Sequence, residues 1–256
     1  MERRMVDGKV AIVTGAAMGM GEATAILFAE EGARVIVADI DRDGGEATAA
    51  SIRAAGGEAR FVSVDVADEA SVAAMVKATV AAYGRLDCVV NNAGITPDTA
   101  MVADADLAVF DRIIAVNLRS VLICMKHQIR QFLAQGDGGA IVNISSTTGL
   151  RPQPTNSAYV ASKHGVIGLT RTAAVEYANQ AIRVNCVLPG AIDTPLIQKA
   201  FKKLDMDPDA YAPILSLFNR LGTPREVAEG SLWLCSDRAS YVTGHSLAVD
   251  AGYTSR

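Results

Sequence analysis

The chain is short of the residues on which several kinds of protein chemistry depend. It holds three histidines and four cysteines in 256 residues. Cys88, Cys124, Cys186 and Cys235 are scattered, with no CxxC pair and no histidine placed to share a metal. That spacing excludes a zinc site of the usual kind and a disulfide framework, and it points to reduced thiols. His127, His164 and His245 show no arrangement that would set a base beside a nucleophilic serine, so each reads as a surface or locally hydrogen-bonded group. Positive charge is in deficit, with 24 Lys and Arg against 28 Asp and Glu and a formal net charge of −4. With a pI near 5.4, no nucleic-acid partner is expected. No apolar run reaches the ~18 residues of a membrane-spanning helix. Arg3 and Arg4 precede no apolar signal core, because MVDGKVAIVTG soon turns into a strand and a turn. A soluble, cytoplasmic protein without metal or membrane partner is the expectation.

Aromatic residues make up only 5% of the chain although half of it is apolar, and the apolar share is rich in Ala and Val, with abundant Gly beside it. Small and β-branched side chains suit helices packed closely on a parallel sheet. Short β-branched runs alternate with helical segments throughout. The strands are predicted at Lys9–Thr14, Ala33–Asp41, Glu58–Val66, Leu86–Gly94, Gly138–Ser145, Ile182–Gly190 and Ser246–Gly252. Helical segments are predicted over Glu22–Glu31, Asp43–Ala55, Asp68–Tyr83, Asp104–Asn117, Arg119–Gln135, Asn156–Asn179 and Thr223–Ser236. No linker, repeat or low-complexity tract interrupts them. Such alternation predicts one α/β domain over 1–256, a doubly wound parallel sheet of about seven strands with helices on both faces. Ligands of such sheets bind at the carboxyl ends of the strands.

The first strand runs straight into GAAMGMG, with glycines at Gly15, Gly19 and Gly21 and methionines at Met18 and Met20. The spacing is G-x-x-x-G-x-G. Small residues between a strand and a helix let a pyrophosphate approach the free N–H groups of the helix start. The second strand ends in Asp39-Ile40-Asp41, 18 residues after Gly21 for the first aspartate. A carboxylate there can accept hydrogen bonds from an adenosine ribose and repels a 2′-phosphate. Met18 supplies no positive charge to welcome that phosphate, and Arg42 reads as a solvated residue at a helix start. Asp65 and Val66 close the third strand, where an edge-on contact to adenine is possible. Asn92, Ala93 and Gly94 close the fourth and let a cofactor lie across the strand ends. These features point to NAD.

The reacting groups fall in Asn143–Lys163. Tyr159 and Lys163 are four residues apart on a predicted helix, which stacks them on one face. A free phenol ionises near pH ~10, too high for a base at neutrality. A lysine ammonium beside it favours the phenolate. Ser146 ends the apolar run GGAIVNIS and could bring its hydroxyl to the same place. One hydroxyl to hold a carbonyl oxygen and one tuned phenol to move a proton suit reversible alcohol oxidation. A Tyr-x-x-x-Lys pair alone is weak evidence; it gains weight from the cofactor features written elsewhere in the chain.

Taken together, Thr14-Gly15-x-x-x-Gly19-x-Gly21, Asn91-Asn92-Ala93-Gly94, Asn117, Ser146, Tyr159-x-x-x-Lys163 and Pro189-Gly190 resemble the short-chain dehydrogenase/reductase family in order and spacing. The resemblance covers nearly the whole chain and implies a Rossmann-type fold. It further implies that Tyr159 is the general acid/base and that Ser146, selected over Ser145 by its spacing to Tyr159, orients the substrate oxygen. Lys163 would hold the nicotinamide ribose and lower the Tyr159 pKa, and Asn117 would support a water-mediated proton path. Thr194 would contact the carboxamide, with Pro189, Gly190 and Ile192 beside the cofactor. A homotetramer built on the Tyr159 helix and the C-terminal segment is the implied assembly.

The family's substrate cover falls at about 191–220. Here it supplies Ile192, Leu196, Ile197, Phe201, Met206, Tyr211, Ile214, Leu215, Leu217 and Phe218, with fixed bends at Pro208 and Pro213. No arginine lies between Arg183 and Arg220, and the loop 150–155 adds only Arg151. A carboxylate or phosphate would want a bidentate arginine, so a neutral, mainly apolar secondary alcohol or ketone is expected. Lys199, Lys202 and Lys203 read as a solvated face rather than an anion site. Two competing readings are an NADPH-dependent 3-oxoacyl-carrier-protein reductase and a dinucleotide-binding protein without turnover. Asp39 and Met18 argue against the first, and the complete set of reacting groups against the second.

Overall fold

The computed structural model describes residues 4–95, 100–203 and 207–256. Arg3 and Met206 lie outside the described residues, as do the side chains of Leu196 and Lys203. The strands are β1 (Val10–Thr14), β2 (Arg34–Asp39), β3 (Glu58–Ser63), β4 (Cys88–Asn91), β5 (Gly139–Ile144), β6 (Ile182–Pro189) and β7 (Ser246–Val249). They form one parallel sheet in the order β3-β2-β1-β4-β5-β6-β7. The order reverses between β1 and β4, which opens a crevice at their carboxyl ends.

Successive strand residues face opposite sides of the sheet, and both sides are apolar. Ala11, Val13, Val35, Val37, Val90 and Val142 pack on α1 (Gly19–Glu30), α2 (Arg42–Ala54) and α9 (Pro224–Cys235). Val10, Ile12, Ile36, Val89, Ile141 and Val184 pack on α3 (Glu69–Tyr83), α5 (Ser120–Gln135) and α6 (Ser157–Tyr177). Between β4 and α5 lies the short helix α4 (Leu107–Ile114). Two more, α7 (Pro195–Lys203) and α8 (Pro208–Leu215), stand between β6 and α9. Several helices open on a capping side chain. Asp68 accepts from Ala70 and Ser71 N–H, and Thr223 with Glu226 closes a capping box at α9. Among the described residues, no helix is long and apolar enough to cross a membrane.

A buried chain of amides ties the elements that carry the site. Asn91 and Gln128 exchange hydrogen bonds of 3.1 and 2.8 Å, Asn91 also donates to Asn143 (2.9 Å), and Asn143 donates to Thr170 (3.0 Å). These contacts link α5, β4, β5 and α6, and all four side chains are buried. Removing one partner there leaves an orphaned polar group.

Candidate active site

The strand-end crevice opens into a cavity of about 710 Å³. Gly15, Met18, Gly19 and Met20 line it from the glycine turn, Asp39 and Ile40 from the end of β2 and the residue after it, and Asp65 and Val66 from the stretch that follows β3. Asn92, Ala93, Gly94 and Thr194 complete the set of expected residues that reach it. Gly15 and Gly19 have φ of +65° and +61°, a backbone that favours glycine. A Cβ on Gly15 would lie 2.8 Å from Ala93 Cα. Helix α1 begins on Met18 with no side-chain cap, so its first N–H groups keep their capacity for an anion. The strand ends are fastened by Asn92, whose Nδ2 donates to Thr14 O (3.0 Å) and Gly15 O (3.1 Å).

Gly21 does not line the cavity; it packs against the turn, and a Cβ there would run into Gly15 O. Gly21→Ala should therefore destabilise the fold by about 3 kcal/mol, as overpacking against backbone does. Denaturant unfolding checks this, and an unchanged midpoint would show that the turn yields.

Asp39 is held by two backbone donors, Ala17 N–H at 2.8 Å and Asp41 N–H at 2.9 Å. The carboxylate is thereby fixed at the cavity wall, with lone pairs left over for a ligand hydroxyl. Arg42 does not turn toward it; its guanidinium carbon sits 5.7 Å from the centroid of the Phe61 ring.

At the other end, α6 brings Tyr159 and Lys163 together with Ser146 from the end of β5. Lys163 is 4% exposed and donates to Ile144 O (3.0 Å), with Nζ 5.4 Å from the centroid of the Tyr159 ring. Burial pushes its ammonium down to about 8. Burial pushes the Tyr159 phenol up, and its hydrogen bond with Ser146 partly opposes that. The expected lowering of the phenol by Lys163 is therefore not present in the protein alone: the ammonium is turned to a carbonyl, and desolvation prevails. The adjacent serines divide their work. Ser145 Oγ donates to Lys163 O (2.8 Å), while Ser146 Oγ accepts from Thr148 N–H (3.1 Å) and meets the phenol.

Asn117 lies in a π-helical turn, Ala115–Arg119, between α4 and α5. Its side chain is committed to Ile95, accepting from the N–H at 2.8 Å and donating to the carbonyl at 3.1 Å. A Cβ on Gly94 would lie 3.4 Å from Asn117 Oδ1 and 3.8 Å from Lys163 Nζ, so the three groups converge.

Three expected cofactor contacts stand elsewhere. Pro189 and Gly190 end β6, with Gly190 N–H on Val249 O (3.0 Å). Ile192 is 6% exposed and packs on Gly222 in the core. Neither they nor Tyr159 and Lys163 line the 710 Å³ cavity. Residues that do line it unexpectedly include Asp41, Arg112, Val116 and Pro195. Val116 directly precedes Asn117 and Arg112 lies one helical turn before Val116, so both reach the cavity through the direction of the helix. The histidines have local partners: His127 meets Glu69 Oε1 (3.2 Å), His164 meets Val160 O (2.9 Å), and His245 N–H donates to Asn185 (3.0 Å). Among the described residues no group of side chains could hold a metal ion. Lys199 and Lys202 are exposed on α7.

Known proteins resemble this chain over nearly its whole length. A family model described as enoyl-(acyl carrier protein) reductase matches residues 15–254. Short chain dehydrogenase/reductase astE of Aspergillus oryzae is 47% identical, over 96% of this chain and 95% of that protein. The cis-4-hydroxycyclohexanecarboxylate dehydrogenase of Sinomonas cyclohexanicum is 46% identical, over 96% of each. Among solved structures, levodione reductase superposes with a TM-score of 0.93 at 36% identity, covering 97% of this chain and 98% of that one.

Proposed function

The chain belongs to the short-chain dehydrogenase/reductase family, and on that premise we propose that it is an NAD-dependent dehydrogenase of neutral, mainly apolar secondary alcohols, working reversibly on the matching ketones. That it is an oxidoreductase of secondary alcohols and ketones follows from its relatives. The choice of cofactor and the neutrality of the substrate are our reading. One observation carries it: Ser146, Tyr159 and Lys163 meet at the carboxyl edge of the sheet, and at the same edge a glycine-lined cavity, whose Gly94 comes close to Lys163, has the fixed carboxylate of Asp39 in its wall.

The residues suit a dinucleotide. Uncapped N–H groups of α1 and the bare faces of Gly15 and Gly19 would hold the pyrophosphate, and Asp39 the adenosine ribose. A bound nicotinamide supplies or takes up the hydride. Ser146 would donate a hydrogen bond to the substrate oxygen and hold it beside the phenol. Tyr159 would give that oxygen a proton in reduction and take it back in oxidation. Lys163 would bind the nicotinamide ribose and support the phenolate, and Asn117 would keep water on the path by which the proton leaves.

For the substrate, the support is the apolar surface of 191–220, which we read as a cover. Tyr211, Ile214, Leu217 and Phe218 are exposed by 37–68%, whereas Ile192 and Phe201 pack inward. Arg151, five residues after Ser146, is bonded elsewhere. The sharpest competitor is a ring alcohol bearing a carboxylate, on which the Sinomonas relative acts by its name. A screen of cyclic alcohols and ketones, neutral and carboxylated, with NAD and NADP separates the readings. We expect the highest kcat/KM on neutral rings. Turnover confined to anionic sugars or acyl-carrier thioesters would sink the assignment. A homotetramer belongs to the same reading, and sedimentation tests it.

A further inference from the structure

Arg151 leaves the loop that carries Ser146 and turns away from the reacting groups. The loop is one tight turn: Gly149 N–H donates to Ser146 O (2.9 Å), and Leu150 and Arg151 N–H donate to Thr147 O (3.0 and 2.9 Å). From there Arg151 Nη1 donates to the main-chain oxygens of Tyr253 (3.0 Å) and Arg256 (2.6 Å). Its guanidinium carbon is 5.2 Å from the centroid of the Tyr253 ring, and that of Arg256 is 5.7 Å from the same centroid.

Arg256 carries the connection onward. It donates to Pro213 O (3.2 Å) and to Ile214 O. These carbonyls end α8, where the helix has no partners for them and a cation is favoured. Two contacts run in parallel. Leu217 N–H donates to Ala251 O (2.9 Å), and a Cβ on Gly252 would lie 2.6 Å from Leu217 Cδ1. The turn that presents Tyr253 is itself set by Asp250, which accepts from Gly252 N–H (2.9 Å), Thr254 N–H (2.9 Å) and the Thr254 hydroxyl (2.7 Å).

We infer that Arg151, Tyr253 and Arg256 are specificity-determining positioning residues: their stack fastens α8 to the Ser146 loop and so fixes the width of the substrate space. They do not receive an anionic substrate, since the Arg151 Nη1 and both Arg256 Nη donors are committed to carbonyls. The inference rests on reading 191–220 as the substrate cover. Its physical basis is that α8 is otherwise lightly held, with Tyr211 and Ile214 facing outward. Loosening the stack lets α8 drift from Ser146, which weakens contacts to a small substrate and admits a larger one.

Arg151→Met and Arg256→Met keep side-chain length without the guanidinium, and Tyr253→Leu removes the ring face. Over alcohols graded from cyclohexanol to fused-ring secondary alcohols, each variant should lose about tenfold in kcat/KM on the smallest, mainly through KM. On the largest they should lose little or gain. The Arg151→Met/Arg256→Met double variant should be no worse than the poorer single one, because both act through one stack. Hydrogen exchange at the amides of 211–217 in the protein alone should quicken about tenfold in each variant. That readout does not depend on any alcohol being a substrate. Unchanged exchange overturns the fastening, and faster exchange with an unaltered size preference overturns the specificity role. Faster exchange with no turnover on any alcohol, starting protein included, leaves the fastening standing and sinks the proposed substrate class. Selective loss on a carboxylated cyclohexanol in Arg151→Met would make Arg151 an anion receptor and overturn the inference.

Discussion

Tyr159→Phe should lower turnover by ~100-fold or more while NADH binding stays within about twofold of the starting protein. The substitution keeps the ring on α6 and removes only the transferable proton and its hydrogen bond with Ser146. A phenylalanine retaining near wild-type turnover would mean that another group moves the proton.

The same residue sets the expected pH dependence. Burial holds the phenol above its ordinary range, so near neutrality Tyr159 is protonated and ready to act as the acid in ketone reduction. Oxidation needs the phenolate, whose fraction rises about tenfold per pH unit below the pKa. Its kcat/KM should therefore climb with pH, and that of reduction should not. Lys163 carries its proton below about 8 and loses it above. If its charge supports the phenolate, the climb flattens above about 8 and moves to higher pH in Lys163→Met. Profiles of kcat/KM in both directions measure this. An oxidation rate that does not change between pH 6 and 9, roughly one unit or more to either side of that value, would remove Tyr159 and Lys163 from the proton path.

Much of the fold could be read from the chain because its strands are short and β-branched and alternate with helices, several of which (α2, α3, α4 and α9) open on a side-chain cap. The misses have physical reasons. The third strand stops at Ser63 rather than Val66 because its only neighbour, β2, ends at Asp39, opposite Ser63. Helix α1 begins three residues earlier than its apolar pattern, since its first turn is built from glycine and methionine. The two helices expected on either side of Asn117 are one nearly continuous run joined by a π turn. An added residue in a helix leaves no mark in residue type, so periodicity could not show it. In the site, groups one residue type can announce were legible: Gly15, Asp39, Ser146, Tyr159, Lys163. Arg112 and Val116 reach the cavity through helix direction, and Arg151 meets Tyr253 across 102 residues. Such placements are set by tertiary packing, which no local pattern records.

Asp39 should give the protein a preference for NAD over NADP of at least ~100-fold in kcat/KM, or roughly 3 kcal/mol. The reason is the fixed position of its charge. Ala17 and Asp41 N–H hold both carboxylate oxygens, so the group cannot swing away when a 2′-phosphate approaches. A like charge brought to such a site costs several kcal/mol. Arg42, the nearest cation in the sequence, is stacked on Phe61 and does not neutralise it. Asp39→Asn tests the charge with little change in shape. It should reduce the discrimination at least ~10-fold, chiefly by improving NADP. It should also weaken NAD, because the amide turns a donor toward one of the two backbone N–H groups. An orphaned donor of this kind costs about 1–3 kcal/mol, read as a lower unfolding midpoint. Steady-state kinetics of both proteins with both cofactors decide the matter. Equal or better efficiency of the unaltered protein with NADP would show that the carboxylate does not face the 2′ position.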